Sequence, residues 1–244
     1  MAKPVFGLIG YPISHSQSPA LFEAAYGGLW AYELIETEDF DKAWETFISR
    51  CQAVNVTMPF KAPAAQRAGI KSPEVELTGM ANVLVKTAGG IKAFNTDFLA
   101  VKTILERVLA RRTDLGGKPS VAVIGYGGAG RAAAAAAQAC GLDAVIHHHD
   151  GIKDGVEADI VIYTLPAKVE GTGKIKAKVI LEANYRNPSL SREALAEAGL
   201  DDTEYIPGTE WLKLQAEYGF PLMTGMDIPK KIHNLQDESP RGEE

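Results

Sequence analysis

Hydrophobic positions recur along this chain with two spacings, one typical of strands and one typical of helices. Short segments such as Val5–Ile9 and Ala31–Thr37 have the length and residue types of strands. Elsewhere apolar residues return every three or four positions. The first such stripe predicts an amphipathic helix with its apolar face turned inward, through Phe40, Ala43, Trp44, Phe47 and Ile48. Because predicted strands and predicted helices alternate along the chain, we predict an α/β fold.

The same hydrophobic spacings predict the remaining elements of the chain. Met80–Lys86 and Ile91–Phe94, joined by a glycine turn, predict a hairpin, and Leu115–Pro119 is the best candidate for a linker. The later elements are strand Lys178–Ala183, helix Leu190–Ala198, a helix after Pro207-Gly208, a short helix over Lys230–Leu235 and a polar, disordered end, Gln236–Glu244.

A glycine-rich segment stands at the centre of this pattern. Residues 121–131 read Val-Ala-Val-Ile-Gly-Tyr-Gly-Gly-Ala-Gly-Arg, with an apolar run before the glycines and an alanine-rich run after them. Gly125, Gly127 and Gly130 have the GxGxxG spacing, and the strand–turn–helix context predicts a dinucleotide site. Gly127 lets the backbone approach a pyrophosphate, Gly130 lets helix and strand pack closely, and the helix N-terminus faces the anion.

The connection that follows the next strand is unusually short. Gly151–Ala158 separates strand Ala144–His148 and its polar end from strand Asp159–Leu165. A parallel crossover normally takes about a dozen residues or more, with a helix. Extended over roughly 26 Å, the segment can only run back and pass over a strand or two. We therefore predict a dinucleotide-binding sheet that lacks one strand–helix unit.

Composition limits the classes of protein to consider. With 244 residues, 46% of them hydrophobic, the chain has room for one large or two modest domains. Its net charge of −6 offers no broad attraction for nucleic acid or an anionic membrane. Neither a membrane-spanning run nor a signal peptide is recognisable, so we expect a cytoplasmic protein. Cys51 and Cys140 suggest buried thiols rather than a disulfide framework.

Three polar groups are candidates for chemistry, each with a plainer alternative. Ser14, Ser16 and Ser18 crowd a helix start at Pro19, where Ser18 either only caps the helix or helps to hold a carboxylate. Asn55 and Thr57 share one face of a strand, and Lys61 follows at the next corner, either as a surface charge or as part of a site. Asp97 precedes a helix and could be its N-cap.

Together these motifs resemble the shikimate dehydrogenase family. The matching segments follow the family's order over nearly the whole chain: Gly10–Pro19, Asn55–Lys61, Asn82, Asn95–Asp97, Gly125–Arg131 and Gln215. The resemblance implies an N-terminal α/β substrate domain, residues 1–97 with 213–244. It also implies a trimmed Rossmann-like NAD(P)-binding domain, residues 98–212, across a cleft.

The resemblance also implies residue roles. Lys61 and Asp97 would be the acid/base pair, and Gly208 would lie close to the cofactor. The substrate would be held by Ser16, Ser18, Asn55, Thr57, Asn82, Tyr185 and Gln215. The cofactor would be held by Gly125, Gly127, Gly128, Ala129, Gly130 and the residues at the end of the second strand, His149 and Asp150.

The residues at the end of the second strand of the cofactor domain depart from the family pattern, so both NADP and NAD have to be considered. NADP-dependent members carry an Asn-Arg-Ser/Thr stretch there, whereas this chain has His149-Asp150. Asp150 lies near the distance at which an acid accepts hydrogen bonds from the ribose of NAD, and it would repel a 2′-phosphate. NADP follows from the resemblance and NAD from Asp150. A metal site is not expected, because His147 and His149 share a strand face that His148 does not.

The resemblance implies reversible reduction of 3-dehydroshikimate to shikimate in aromatic amino-acid biosynthesis. Three alternatives stay open: a quinate or related cyclic hydroxy-acid dehydrogenase, a non-catalytic shikimate-binding relative, and another two-domain nicotinamide enzyme. We expect a small-molecule substrate, no nucleic-acid or membrane partner, and a monomer or homodimer.

Overall fold

Two β-sheets organise the protein, which is described by a computed structural model over residues 3–166 and 168–229. The predicted helix at 230–235 and the predicted disordered end at 236–244 lie outside the described residues. Within the described residues, no helix is both long and apolar enough to cross a membrane.

The first sheet has six strands in the order β2-β1-β3-β5-β6-β4. Its members are β1 (Val5–Gly10), β2 (Ala31–Glu36), β3 (Ala53–Val56), β4 (Ile70–Lys71), β5 (Val83–Thr87) and β6 (Gly90–Phe94). β1 pairs in parallel with β2 and β3, and β5 pairs antiparallel with β3 and β6, which confirms the predicted hairpin. The helices of this part are α1 (Ser18–Tyr26), α2 (Phe40–Arg50), α3 (Lys61–Arg67) and α4 (Pro73–Thr78).

Two local predictions in this part are wrong. Ser18 is the first residue of α1 rather than its cap, and Gln17 occupies the cap position without a side-chain bond. Ile48 is 41% exposed, because the inward stripe of α2 ends at Phe47 and the helix turns the next position to solvent. Ala43, Trp44 and Phe47 are buried in the core as predicted.

The second sheet is wholly parallel, with the order β11-β10-β9-β7-β8. Its strands are β7 (Val121–Ile124), β8 (Ala144–His147), β9 (Val156–Tyr163), β10 (Ile175–Glu182) and β11 (Glu204–Ile206). The helices of this part are α5 (Thr96–Arg111), α6 (Gly128–Ala139), α7 (Arg192–Glu197) and α8 (Gly208–Thr224). Short 3-10 turns lie at Thr113–Leu115, His149–Ile152 and Thr172–Lys174.

The predicted trimming of this sheet is confirmed. After β8 the chain makes the 3-10 turn at 149–152, passes β7 and enters β9, which pairs with β7. In the described part of the chain no strand pairs with the outer side of β8. A full doubly wound sheet would place a further strand beyond β8 and connect it through helices.

Two helices link the cores of the two sheets. The buried face of α5 packs with the second sheet, whereas its preceding residue Asn95 bonds Thr78 Oγ1 at 3.0 Å and Met80 O at 3.1 Å in the first part. α8 contributes Trp211 and Leu214 to the core of the second sheet and its later residues to that of the first. The predicted boundary near residue 97 and the return near 213 remain predictions.

Candidate active site

A cavity of about 270 Å³ lies between the two parts of the chain. It forms where β1, β3 and β10 end, together with the first turns of α3, α5, α6 and α8. All nine residues predicted to be catalytic or to bind substrate line it: Ser16, Ser18, Asn55, Thr57, Lys61, Asn82, Asp97, Tyr185 and Gln215. Residues spread over most of the chain are therefore brought to one place, and their individual roles remain predictions.

Lys61 and Asp97 form an ion pair on the wall of this cavity. Lys61 Nζ lies 2.6 Å from Asp97 Oδ2, and the two side chains are only 17% and 11% exposed. The alternative that Asp97 caps α5 is wrong, because Asn95 is the cap and accepts a hydrogen bond from Phe98 N. Asp97 stands in the first helical turn, which leaves its carboxylate free to face the cleft. Its other oxygen, Oδ1, accepts a hydrogen bond from Trp211 Nε1 at 3.0 Å.

The serine loop turns hydroxyl groups toward the cavity. Ser18 is buried and Ser16 half-buried, and their Oγ atoms lie 3.2 Å apart. Ser18 N donates to Ser16 Oγ at 3.2 Å, so the loop holds the two hydroxyls together. The side chain of Ser18 does not cap α1, which removes the plainer explanation for its presence. Ser14 is exposed and does not line the cavity.

A hydrogen-bond network holds the amide side chains in place. Asn82 Nδ2 donates to Thr96 Oγ1 at 2.9 Å, and Thr96 N donates to Asn82 Oδ1 at 2.7 Å. Gln215 Oε1 lies 3.4 Å from Asn82 Nδ2. Tyr32 donates its hydroxyl to Asn55 Oδ1 at 2.7 Å. Because these amides are oriented by protein partners, they are preorganised for polar groups of a ligand.

Tyr185 on the cavity wall and Tyr32, which bonds Asn55, remain neutral hydrogen-bonding groups at ordinary pH. Burial raises the pKa of the Tyr32 phenol, and a hydrogen bond with Ser18 opposes this only in part. Burial likewise raises the pKa of Tyr185, which lies against Ser16 and the backbone of Gln17. Neither residue of the network outside the predicted set was expected: Tyr32 stands in no recognisable motif, and Thr96 lies in the matching segment Asn95–Asp97 without a predicted role.

The glycine turn between β7 and α6 has the form that a pyrophosphate requires. Gly125 has φ +95°, and a Cβ at Gly130 would overlap the carbonyl oxygen of Gly125, so the turn closes only with glycine at both positions. A Cβ at Gly127 would meet nothing within 4 Å. The turn therefore has no internal need for glycine at 127, and an open side remains for a ligand at the N-terminus of α6.

The glycine turn also adjoins the ion pair. A Cβ at Gly128 would lie 2.8 Å from Lys61 Cδ, which places the start of α6 against the lysine side chain. Of the residues predicted to bind the cofactor, Ala129 and Gly208 line the cavity itself, whereas Gly125, Gly127, Gly128 and Gly130 form the adjoining turn.

The end of β8 lies outside the cavity, at the edge of the glycine turn. His149 Nε2 lies 3.0 Å from Asp150 Oδ1, and both side chains are exposed. Tyr126 is 42% exposed, with the guanidinium of Arg131 5.1 Å from its ring centre and His148 at its edge. Among the described residues, no group of three or more His, Cys, Asp or Glu could hold a metal ion.

A buried carboxylate supports the loop that bears Tyr185. Glu182 is fully buried at the end of β10 and accepts hydrogen bonds from Ser189 N at 2.6 Å, Leu190 N at 2.9 Å and Tyr205 Oη at 3.0 Å. Burial raises the pKa of Glu182, and these donors oppose the change. An acid directly after the apolar run Val179–Leu181 was a signal in the sequence, although its partners were not predictable.

Comparison with known proteins agrees with this geometry. Residues 8–84 match the family model described as the shikimate dehydrogenase substrate binding domain. The shikimate dehydrogenase (NADP(+)) of Anaeromyxobacter dehalogenans strain 2CP-C is 27% identical over 93% of this chain and 92% of its own length. The pentafunctional AROM polypeptide 2 of Lodderomyces elongisporus is also 27% identical over 93% of this chain, which spans only 17% of that polypeptide.

The solved structures agree in fold. Shikimate 5-dehydrogenase from Thermus thermophilus, in complex with NADP(H) and shikimate, matches with a TM-score of 0.73 and 22% identity, covering 93% of this chain and 95% of that chain. The resemblance indicated by the motifs is therefore confirmed: this chain is similar to shikimate dehydrogenases over nearly its whole length.

Proposed function

We propose that the protein is an NADP-dependent shikimate dehydrogenase, which interconverts 3-dehydroshikimate and shikimate. The observation that carries this proposal is the Lys61–Asp97 ion pair, 2.6 Å between Nζ and Oδ2, on the wall of a cavity that also bears paired serines and three oriented amides. A site that only bound an acid would have no need of such an acid/base couple.

Lys61 moves the proton in this proposal. Reduction of a ketone leaves an alkoxide that must be protonated, and oxidation of the alcohol requires the same proton to be removed. Lys61 Nζ can give or take that proton, and its charge stabilises the developing oxyanion. Asp97 Oδ2 holds the lysine Nζ at 2.6 Å. A bound nicotinamide would supply or accept the hydride.

The remaining polar residues orient the substrate. Ser16 and Ser18, with hydroxyls 3.2 Å apart, are suited to the two oxygens of a carboxylate. Asn55, Asn82 and Gln215 present amides to ring hydroxyls, while Thr57 and Tyr185 complete the polar wall. The open side of Gly127 and the N-terminus of α6 fit the pyrophosphate of the cofactor.

The choice between NADP and NAD is part of the proposal. The relative from Anaeromyxobacter dehalogenans is named for NADP(+), which supports NADP here. Asp150, paired with His149 at the end of β8, would accept hydrogen bonds from a ribose and supports some use of NAD. If Asp150 governs the choice, Asp150→Ala raises kcat/KM for NADP relative to NAD, whereas an unchanged ratio removes Asp150 from the argument.

The decisive test is the initial rate of shikimate oxidation with NADP and with NAD, for the wild type and for Lys61→Ala. Turnover that falls by at least roughly a hundredfold in Lys61→Ala would establish the reaction and its proton carrier together. Lys71→Ala, at an exposed lysine on β4, is the matched control and should retain wild-type rates. Wild-type protein without turnover, or turnover indifferent to Lys61, would refute the proposal.

The alternatives are separated by related measurements. Comparing kcat/KM for shikimate and quinate tests the cyclic hydroxy-acid alternative, because an extra hydroxyl probes the polar contacts of the cavity. Shikimate binding in calorimetry without nicotinamide binding would favour a binding protein. Normal shikimate affinity in the Ser16→Ala, Ser18→Ala double variant would favour another nicotinamide enzyme and remove the carboxylate assignment.

We also propose a cytoplasmic location and a monomer or homodimer. The small-molecule chemistry of the cavity and the biosynthetic names of the relatives support this setting. Light scattering of the purified protein at several concentrations would distinguish the two oligomeric states.

A further inference from the structure

We infer that Trp211 is the positioning residue of the proton-transfer pair: it fixes the Asp97 carboxylate, which in turn keeps Lys61 Nζ in place for proton transfer. This inference rests on the proposed function and deepens it. It starts from the hydrogen bond between Trp211 Nε1 and Asp97 Oδ1, 3.0 Å long and buried.

Both oxygens of Asp97 are engaged. Oδ2 bonds Lys61 Nζ at 2.6 Å and Oδ1 accepts the indole N–H of Trp211. An indole nitrogen only donates, so it can bond a lone pair of Asp97 but cannot accept a proton from a protonated carboxyl group. A carboxylate bonded at both oxygens keeps its orientation, because each donor fixes one oxygen. The direction in which Asp97 holds Lys61 Nζ therefore depends on Trp211.

The indole itself is held by the protein core. Trp211 is 4% exposed and packs in the core of the second sheet with residues of α5 and α6. It stands in the first turn of α8, where Gly208 lies so close to the backbone of Asn184 that a Cβ would meet it at 2.6 Å. A rigid ring on an anchored helix can fix a partner's direction, whereas a mobile side chain could not.

The position also gives Trp211 access to the reacting region. It lines the cavity beside Leu212, and the titratable side chains on that cavity besides Asp97 are His15, Lys61 and Tyr185. Of these, Lys61 is the one bonded to Asp97. Loss of the indole N–H therefore acts on the ion pair first. No local pattern indicated this role, since a Trp at a helical apolar position is typical of core.

Trp211→Phe tests the inference, since it keeps an aromatic ring and removes only the donor. We expect kcat for shikimate oxidation to fall roughly ten- to a hundredfold, the effect of one lost hydrogen bond to a charged group. We also expect KM for shikimate to change little, because the lost donor acts on the ion pair and not on a residue assigned to substrate binding. Trp44→Phe, which alters a buried indole in the other core, should leave both unchanged.

A double-mutant cycle separates positioning from general loosening of the fold. In the Asp97→Ala background, which lacks the acceptor, Trp211→Phe should have little further effect on kcat, because its route of action is already removed. A Trp211→Phe enzyme with the wild-type kcat would overturn the inference while leaving the Lys61-dependent activity, and so the proposed function, intact. Additive losses in the cycle would overturn it as well.

A second measurement covers the case in which Trp211→Phe does not fold. In protein labelled with ¹⁵N at tryptophan, the indole N–H signal of Trp211 should shift strongly in Asp97→Ala, which removes the acceptor, and those of Trp30 and Trp44 should not. Three indole signals unaffected by Asp97→Ala would show that the hydrogen bond does not hold in solution, and would equally overturn the inference.

Discussion

Gly128→Ala tests whether the cofactor turn and the proton-transfer pair are in direct contact. The new methyl group would lie 2.8 Å from Lys61 Cδ, whereas ordinary contact begins at 3.4 Å, so one of them must retreat by at least about 0.6 Å. Lys61 cannot simply swing aside, because its Nζ is held at 2.6 Å by Asp97. Misplacement of a reacting group by 1 Å costs on the order of a hundredfold in rate. We therefore expect kcat to fall roughly tenfold or more.

The assay is steady-state shikimate oxidation combined with thermal unfolding. Because the strain falls on a side chain in a cleft, Tm should change little while kcat falls. Gly117→Ala, at a surface glycine whose Cβ would meet nothing within 4 Å, provides the control and should match the wild type in both. A Gly128→Ala enzyme with wild-type kcat would show that Lys61 gives way without cost, and the argument from contact would fail.

Other contacts of the turn, the second sheet and the cavity lead to three further expectations. Gly130→Ala should lower the free energy of unfolding by about 4 kcal/mol or prevent folding, because its methyl group would overlap the Gly125 carbonyl oxygen and the backbone cannot move away. Gly127→Ala should keep the wild-type Tm but weaken NADP binding in calorimetry. Equal Tm values for the two variants would contradict the prediction. Hydrogen bonds from Lys178 and Ser120 lower the pKa of Asp159 to about 2, below its usual 3.8, so the stabilisation it gives is complete above pH 3.8 and disappears as the pH falls toward 2. In urea unfolding, Asp159→Asn should have a lower free energy of unfolding than the wild type at pH 7, and the difference should vanish near pH 2. A difference that does not depend on pH would contradict this prediction. Tyr32→Phe removes the 2.7 Å bond to Asn55 and should raise KM for shikimate about fivefold with little change in kcat, so unchanged KM would show that Asn55 is oriented by other contacts.

Structural features that depend only on neighbouring residues were predictable from the spacing of residue types along the chain. The glycine turn is the clearest case, since Gly125, Gly127 and Gly130 act through backbone geometry within one strand–turn–helix unit. The missing strand–helix unit was equally predictable, because a connection too short for a crossover helix limits the topology whatever its side chains. β4 and β11, by contrast, have two and three residues, which are too few to show a hydrophobic periodicity.

Contacts between distant segments escaped prediction. Trp211 and Asp97 are separated by 114 positions, and nothing in the residues around Trp211 distinguishes an indole that donates from one that only packs. The cap of α1 was misplaced by one residue because Ser18-Pro19 satisfies a common local preference, whereas the loop uses the Ser18 hydroxyl toward the cavity. In both cases tertiary structure assigns the polar atom to a partner that local preference does not indicate.

The joint between the two parts of the chain has a mechanical consequence for turnover. Asn95 ties the start of α5 to Thr78 and Met80, while the body of the helix packs on the other sheet, so Asp97 stands at the joint between the two parts. Groups at a joint move little when the angle between two parts changes, so we expect the Lys61–Asp97 pair to keep its length. The glycine turn belongs to the second part and meets Lys61 across the cleft, so a change of angle acts on that contact instead. The proton-transfer pair would then not have to be rebuilt in each cycle.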